Sequence, residues 1–237
     1  MNNIAAFIPA RAGSERVANK NIRLLDNKPL IQFTIDQVRK SKIINNVYIS
    51  SNIKDLESTI NGNQVKVYKR PENISKSTSK DIDWVLHLLK KLKQNMPEII
   101  VLLRPTSPFR TSKFIDESIK KFSRTNFDSA RAVKLVTEHP NKMWRVDKSN
   151  LVPYVRSKKY LKENAHSLQY KSLEKVYVQT SSLEIIKVKS LLRTKTLSGN
   201  KVMPIFPDRL NGFTIDYEHD FMMAEMHLKG MDVLKND

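Results

Sequence analysis

A chain of 237 residues with no cysteine can form no disulfide, no thiolate-bound zinc or iron–sulfur centre and no cysteine nucleophile, and its length suits one large domain or one with a sizeable insertion. Forty-two Lys and Arg against 24 Asp and Glu leave a net charge of +18, which draws polyanions without saying which. No apolar run approaches the roughly 20 residues that span a bilayer and the N-terminus shows no secretory pattern, so a cytoplasmic protein with no membrane partner is expected.

Ile4-Ala5-Ala6-Phe7-Ile8 is an unbroken apolar run closed by Pro9, the pattern of a strand buried on both faces of a parallel sheet. A polar loop follows to about Asn27. From Pro29, residues Leu30, Ile31, Phe33, Thr34, Ile35 and Val38 have helical spacing, with the proline in the first turn where its missing N–H costs nothing. Val47–Ser51 reads as a second strand, Asp55–Ile60 as a short helix and Val65–Tyr68 as a third strand. Ser79–Gln94 is an amphipathic helix with Ile82, Val85, Leu86, Leu89 and Leu92 on one face. Glu98–Leu103 is the next buried strand, and Phe114, Ile115, Ser118, Ile119 and Phe122 mark the helix after it.

This alternation predicts an α/β fold with a doubly wound, mainly parallel sheet. It breaks down beyond Ala130–Val136, where residues 138–175 are polar, basic and weakly periodic and read as an inserted arm. Short strands return at Val176–Val178, Leu183–Ile186 and Val202–Phe206, and a helix from about Tyr217 to Lys229 closes the chain. The whole is read as a single domain, 1–237, that carries the arm.

The basic residues are spread over Arg39, Lys40 and Lys42, then Arg156, Lys158, Lys159 and Lys162, then Lys187, Lys189, Arg193, Lys195 and Lys201. No zinc finger, basic zipper or ribonucleoprotein aromatic motif accompanies them, so specific nucleic-acid binding is not expected. The five histidines lack metal-ligand spacing.

Open α/β sheets bind ligands beyond the carboxyl ends of their strands, which singles out particular loops. The first strand leads into Arg11-Ala12-Gly13-Ser14-Glu15-Arg16-Val17-Ala18-Asn19-Lys20-Asn21. Backbone N–H groups around Gly13 and Ser14 suit an anion nest, and Arg11, Arg16 and Lys20 supply charge for a triphosphate. Neither the Walker spacing nor a dinucleotide fingerprint is present, and on its residues alone this loop is equally a polar surface turn. The loop after the fourth strand, Arg104-Pro105-Thr106-Ser107-Pro108-Phe109-Arg110, is stiffened by two prolines and offers hydroxyls between two arginines. By itself it is equally a capped turn.

Together, Ile8–Arg16 with Lys20-Asn21, Arg70-Pro71 and Arg104–Arg110 resemble the cytidylyltransferase family, and among its members the CMP-N-acetylneuraminate synthetases. The resemblance implies transfer of CMP from CTP to an acidic 2-keto sugar. It places Arg11, Ser14 and Lys20 on the CTP phosphates within a segment that includes Ala12, Gly13 and Arg16. It sets Asn21, Arg70 and Asp81 toward cytosine and ribose, and it adds Arg104, Pro105, Thr106 and Ser107 to the nucleotide site. Arg104 stands where many members have glutamine. Arg11, Lys20 and Asp216 are the expected catalytic residues.

Gly212–Asp220 is similar to the family segment whose Asp-x-Asp pair handles Mg²⁺. Thr214 replaces the first aspartate, so Asp216 and Asp220 are the expected metal ligands. Arg104, Gln179, Thr180 and Ser181 fall to the sugar, in a stretch where sialic acid enzymes carry an arginine that is absent here. That departure leaves room for legionaminate, pseudaminate or an octulosonate. The 138–175 arm is similar to the family's dimerisation region and implies a homodimer. Two alternatives stay open, a nucleotidyltransferase for another base or sugar and a catalytically silent relative that binds sugars or polyanions.

Overall fold

The computed structural model describes residues 3–62, 65–155 and 164–231. Arg156, Lys158, Lys159 and Lys162 lie outside them. The chain falls into two compact units, one of residues 1–132 with 180–237 and the other of residues 133–179.

In chain order the elements are β1 (Ile4–Ala10), β2 (Leu24–Leu25), β3 (Lys28–Pro29), α1 (Leu30–Arg39), β4 (Asn46–Ser51), α2 (Leu56–Thr59), β5 (Val65–Lys69), α3 (Asp81–Leu92), β6 (Ile99–Leu102), α4 (Ser112–Ser123), β7 (Ser129–Leu135), β8 (Trp144–Asp147), β9 (Asn150–Pro153), β10 (Tyr177–Lys187), α5 (Val188–Thr194), β11 (Val202–Ile205) and α6 (Glu218–Leu228). The main sheet has the order β11-β7-β10-β6-β1-β4-β5. β1 pairs in parallel with β4 and β6, β4 with β5, and β7 with β11, whereas β10 runs antiparallel to β6. The fold is thus α/β with a mainly parallel sheet.

The two-residue period of a strand decides which helix packs where. On β1, Ile4, Ala6, Ile8 and Ala10 face one cluster with Ile31, Ile35 and Val38 of α1 and Ile115, Ile119 and Phe122 of α4. Ala5 and Phe7 face the other, with Trp84, Val85, Leu88, Leu89 and Leu92 of α3 and Val188 and Leu191 of α5. Helices therefore cover both faces, as the unbroken apolar runs require. A third cluster joins Val17, Leu25, Leu30, Phe221 and Ala224, seating α6 on the β2–β3 ribbon.

Several elements differ from the sequence reading. β1 continues through Pro9 to Ala10 in register with β4, and the proline is tolerated because pairing with β6 has ended at Phe7. On α3 the buried face is centred on Trp84 and Leu88, with Ile82 and Leu86 at its margin, because the large indole takes the central position. The two short strands expected around 176–178 and 183–186 are one strand, β10, whose exposed leading residues hide its continuity from a hydropathy pattern. The stretch read as an arm lies in the second unit and contains the β8–β9 hairpin, which weak periodicity did not reveal. Within that unit buried His139 accepts a hydrogen bond from the Asn141 N–H at Nδ1, while Nε2 sits 3.0 Å from the Glu174 carbonyl. This histidine is structural. Among the described residues no helix is long and apolar enough to cross a membrane.

Asp128 closes the turn before β11. It accepts from the Ser190 hydroxyl at 2.6 Å and from the Asn200 and Lys201 N–H groups at 2.8 and 3.1 Å, which holds its carboxyl down at about 2. Gly199 passes over it at φ +65°, and a Cβ there would lie 2.4 Å from the Asp128 Cβ. With an ordinary value near 3.9, the ionised group stabilises the fold fully above about pH 4 and loses that effect as pH falls toward 2. Asp128→Asn is expected to be less stable than the parent at pH 7 and to lose less stability between pH 4 and 2. Urea midpoints across that range check this, and parallel declines would refute it.

Candidate functional site

The loops after β1, β5 and β6 all leave the carboxyl edge of the parallel strands, and with the segment before α6 they enclose one cleft of about 390 Å³. That volume lies in the usual small-molecule range of ~300–1,000 Å³. The first loop contributes Arg11, Ser14, Arg16, Lys20 and Asn21. Arg70 and Asp81 come from the β5 exit and the start of α3, Arg104, Pro105 and Thr106 from the β6 exit, Ser181 from β10, and Asp216 from before α6.

The first loop is held from within. Asn21 donates to the Arg11 carbonyl at 2.9 Å, Asn52 accepts from the Ala12 N–H at 2.9 Å, and Arg11 donates to the Gly13 carbonyl at 2.8 Å. Gly13 adopts φ +70° with open space around it, a backbone shape that favours glycine. Arg16 lies over the Tyr217 ring at 5.0 Å. Lys20 reaches across to donate to the Ile215 carbonyl at 2.9 Å, with its ammonium 4.0 Å from Asp216. Burial pushes the Lys20 pKa down, with Asp216 opposing and Arg16 adding to the fall. The Ile215 N–H in turn donates to the Thr106 carbonyl at 2.8 Å, so the segment before α6 is tied to both loops.

The other end of the cleft is built from paired charges. Arg104 donates to Asp81 and to Glu184, each at 2.6 Å, and Arg131 stands 3.2 Å from Glu184. Trp84 donates to Asp81 at 2.9 Å. Burial opposes the charge on Arg104, but Glu184 and Asp81 outweigh it and raise its pKa. Burial likewise tends to raise the Asp81 pKa, and Arg104, the Trp84 hydrogen bond and Arg70 overcome this to hold the carboxyl below its ordinary range. Arg70 is buried against Trp84, 5.0 Å from the ring centroid, and donates to the Ser50 hydroxyl and carbonyl at 3.0 and 2.8 Å. Desolvation lowers it to about 10, so it stays charged at neutral pH.

The expected site residues are not all used alike. Ala12 and Gly13 shape the loop backbone and are not among the lining residues. Ser107 is buried beneath the turn, and Thr180 is buried with its hydroxyl 2.9 Å from that of Ser182. Gln179 belongs to the second unit. Asp220, expected beside Asp216 as a metal ligand, caps α6, its Oδ2 accepting from the Asp216 and Tyr217 N–H groups at 2.8 Å each. Asp216 keeps a half-exposed carboxylate that accepts from Thr214 at 3.3 Å. Among the described residues no group of three or more His, Asp or Glu is placed to hold a metal.

The residues missed are Glu184 and Arg110. A glutamate inside the apolar run Leu183–Ile186 demands a partner, and that was the available signal. Its partner appears only through the antiparallel register that sets Glu184 opposite Leu102, two residues before Arg104. Arg110 is 1% exposed and donates to the Ser182 and Arg104 carbonyls and to the Thr34 hydroxyl. Burial and then the Arg104 charge push it down to about 9. It pins the β6 exit loop to β10 and α1.

The sequence profile of the cytidylyltransferase family matches residues 5–224. An N-acylneuraminate cytidylyltransferase of Escherichia coli O18:K1:H7 is 26% identical over 93% of this chain, which spans about half (51%) of that relative's length. A CMP-N,N'-diacetyllegionaminic acid synthase of Legionella pneumophila is 28% identical over 94% of both chains. Among solved structures, a CMP:2-keto-3-deoxy-manno-octonic acid synthetase complexed with CTP superposes with a TM-score of 0.67 at 11% identity, covering 96% of this chain and 98% of the other. The 4-diphosphocytidyl-2C-methyl-D-erythritol synthase of Anaerococcus prevotii gives 0.64 at 15% identity, covering 96% of each. At these identities the structural likeness speaks to the fold.

Truncating Arg110 leaves two carbonyls and a hydroxyl buried without their donor, at roughly 1–3 kcal/mol each before relaxation. Arg110→Ala is expected to lose about 3 kcal/mol of stability by urea denaturation. Arg110→Lys should recover only a minor part, because an ammonium cannot reproduce the planar fork. A variant as stable as the parent would show that the guanidinium fastens nothing.

Proposed function

Because the chain belongs to the cytidylyltransferase family, we propose that it transfers CMP from CTP to the anomeric hydroxyl of an acidic 2-keto sugar of the sialic acid kind and releases pyrophosphate. The observation that carries this reading is the gathering of Arg11, Arg16 and Lys20 with Arg70 and Asp81 around one cleft at the carboxyl edge of the sheet. The sugar class rests on the names of the relatives. Ser181, which lines the cleft, remains the residue proposed to meet it.

In this reaction the anomeric oxygen forms a bond to the α-phosphorus, and the bond from that phosphorus to the bridging oxygen of pyrophosphate breaks in line. Transfers of this type need positioning and charge neutralisation more than covalent help. Arg11 and Lys20 supply positive charge to the phosphates, and Ser14 with the Gly13 turn supplies donors. The low Lys20 pKa reflects a cation stripped of water, whose field acts more strongly on a phosphate than that of an exposed lysine.

Mg²⁺ fits this donor set through Asp216, because magnesium keeps several waters and takes one or two carboxylates together with substrate phosphates. When bound, it would neutralise charge on the phosphate oxygens. Asp220 serves this by fixing the Asp216 backbone.

The reading includes a homodimer formed through the second unit. Its β8–β9 hairpin leaves Val146 and Leu151, a cross-strand pair, 70% and 64% exposed, with Trp144 beside them. A lone two-stranded ribbon is marginal in water, and a second copy would cover these side chains. Dependence on CTP fits a cytoplasmic enzyme, and a CMP-activated acidic sugar suits the building of cell-surface polysaccharide.

The test is pyrophosphate release from CTP and Mg²⁺ with N-acetylneuraminate, legionaminate, pseudaminate and octulosonate. Release with none of them sinks the proposal. Asp216→Asn should lower kcat by about 100-fold and Lys20→Ala should lower kcat/KM for CTP by a similar factor, the scale of losing one preorganised charge. Val146→Glu with Leu151→Glu should sediment as a monomer, and an unchanged dimer would move the interface elsewhere.

A further inference from the structure

Resting on the reading above, we propose that Asp81 and Arg104 together read the edge of the nucleotide base, and that Glu184 is the residue positioning Arg104 to do so. Arg104 lines the cleft, yet its guanidinium is bound by two carboxylates, Asp81 and Glu184, at 2.6 Å each. With its charge so compensated it is a poor receptor for a further anion, whether a phosphate or the sugar carboxylate. Its hydrogen-bonding capacity is not spent. A guanidinium carries five N–H donors, and these two bonds use two of them. Asp81 keeps acceptor capacity beside it, since Trp84 and Arg104 take one bond at each oxygen and the side chain is 45% exposed.

The cleft wall thus sets an acceptor next to a donor, both fixed by ion pairs. Along one edge cytosine offers an amine that donates and then a ring nitrogen that accepts. Uracil reverses both, with an oxygen facing the carboxylate and an N–H facing the guanidinium. A fixed acceptor–donor pair therefore favours cytosine and leaves both fixed groups mismatched with uracil, an arrangement that discriminates between the two bases.

Glu184 is 5% exposed, sits opposite Leu102 in the sheet, and is braced from behind by Arg131 at 3.2 Å. It touches Arg104 from within the protein and is not among the residues lining the cleft. Its effect on substrate therefore passes through Arg104.

Equilibrium binding of CTP and of UTP, each with Mg²⁺ and without sugar, separates this inference from the sugar assignment. The parent protein is expected to favour CTP. Asp81→Asn, which presents an amide to either base, should reduce the CTP:UTP affinity ratio at least tenfold. Glu184→Gln should also reduce the ratio, and should have no further effect on it in an Arg104→Gln background. A purely structural Glu184 would lower the melting temperature and leave the ratio unmoved. If Asp81→Asn melts like the parent and keeps the parental ratio, the inference is overturned while the proposed reaction stands. If the variants leave the ratio unmoved and, in a parallel turnover assay, change only the KM for sugar, Arg104 serves the sugar and not the base, and the inference is overturned. If the parent binds neither nucleotide, both readings fall.

Discussion

A buried guanidinium with no carboxylate partner among the described residues fixes the geometry on which the cleft depends. Arg110 gives its two terminal nitrogens to the carbonyls of Ser182 and Arg104 and to the Thr34 hydroxyl, and so fastens the β6 exit loop to β10 and to α1. A buried charge is costly to hold, and losing any of these bonds adds to the cost, so the arrangement resists a shift in loop position. Prolines at 105 and 108 remove much of the backbone freedom that remains. The consequence reaches the cleft directly. Once the loop is fixed against β10, Arg104 and Glu184 have little choice but to meet, and the Thr106 carbonyl is placed to receive the Ile215 N–H.

Two electrostatic regimes share this frame. Around Arg11, Arg16 and Lys20 cationic charge exceeds the acidic charge of Glu15 and Asp216, and burial lowers the Lys20 pKa because too few partners offset its desolvation. Around Arg104 the balance is reversed, since Asp81 and Glu184 raise the arginine's pKa in spite of its burial. The first regime attracts anions. The second is satisfied internally and offers only directed hydrogen bonds, which confer selectivity more than affinity. A nucleoside triphosphate has the same division, with its negative charge at one end and a neutral, patterned base at the other.

Much of the framework was legible because it depends on local pattern. Runs such as Ile4–Ile8 and Glu98–Leu103, separated by helical spacing, are enough to specify a parallel sheet covered on both faces, and the carboxyl-edge rule then points to the loops at Arg11 and Arg104, Arg70 being added by the family resemblance. What escaped depends on register and on long-range pairing. Glu184 looks like a flaw in an apolar strand until β10 is set antiparallel to β6, and Arg110 looks like one flank of a ligand-facing or capped turn until Ser182, 72 positions away, is seen to accept from it. Asp220 carries two readings for a related reason. A carboxylate three residues into a helix serves as an N-terminal cap as readily as a metal ligand, and the two uses share one sequence signature.

The position of Asp216 follows from that cap. Its backbone N–H is held by Asp220, its neighbour Ile215 is bonded through N–H and C=O to Thr106 and Lys20, and Thr214 donates to its side chain. The backbone on either side is fixed while the carboxylate remains half exposed in the cleft wall. A charged group usually gains such rigidity by burial, at a high desolvation cost. Here it comes from bonds to neighbouring backbone and hydroxyl groups, so the carboxylate keeps its exposure to solvent. On the proposed magnesium reading, with a threonine where the family pattern has its first aspartate, that rigidity would take over part of what a second carboxylate contributes. Thr214 orients the remaining acid without adding charge that would compete with a triphosphate.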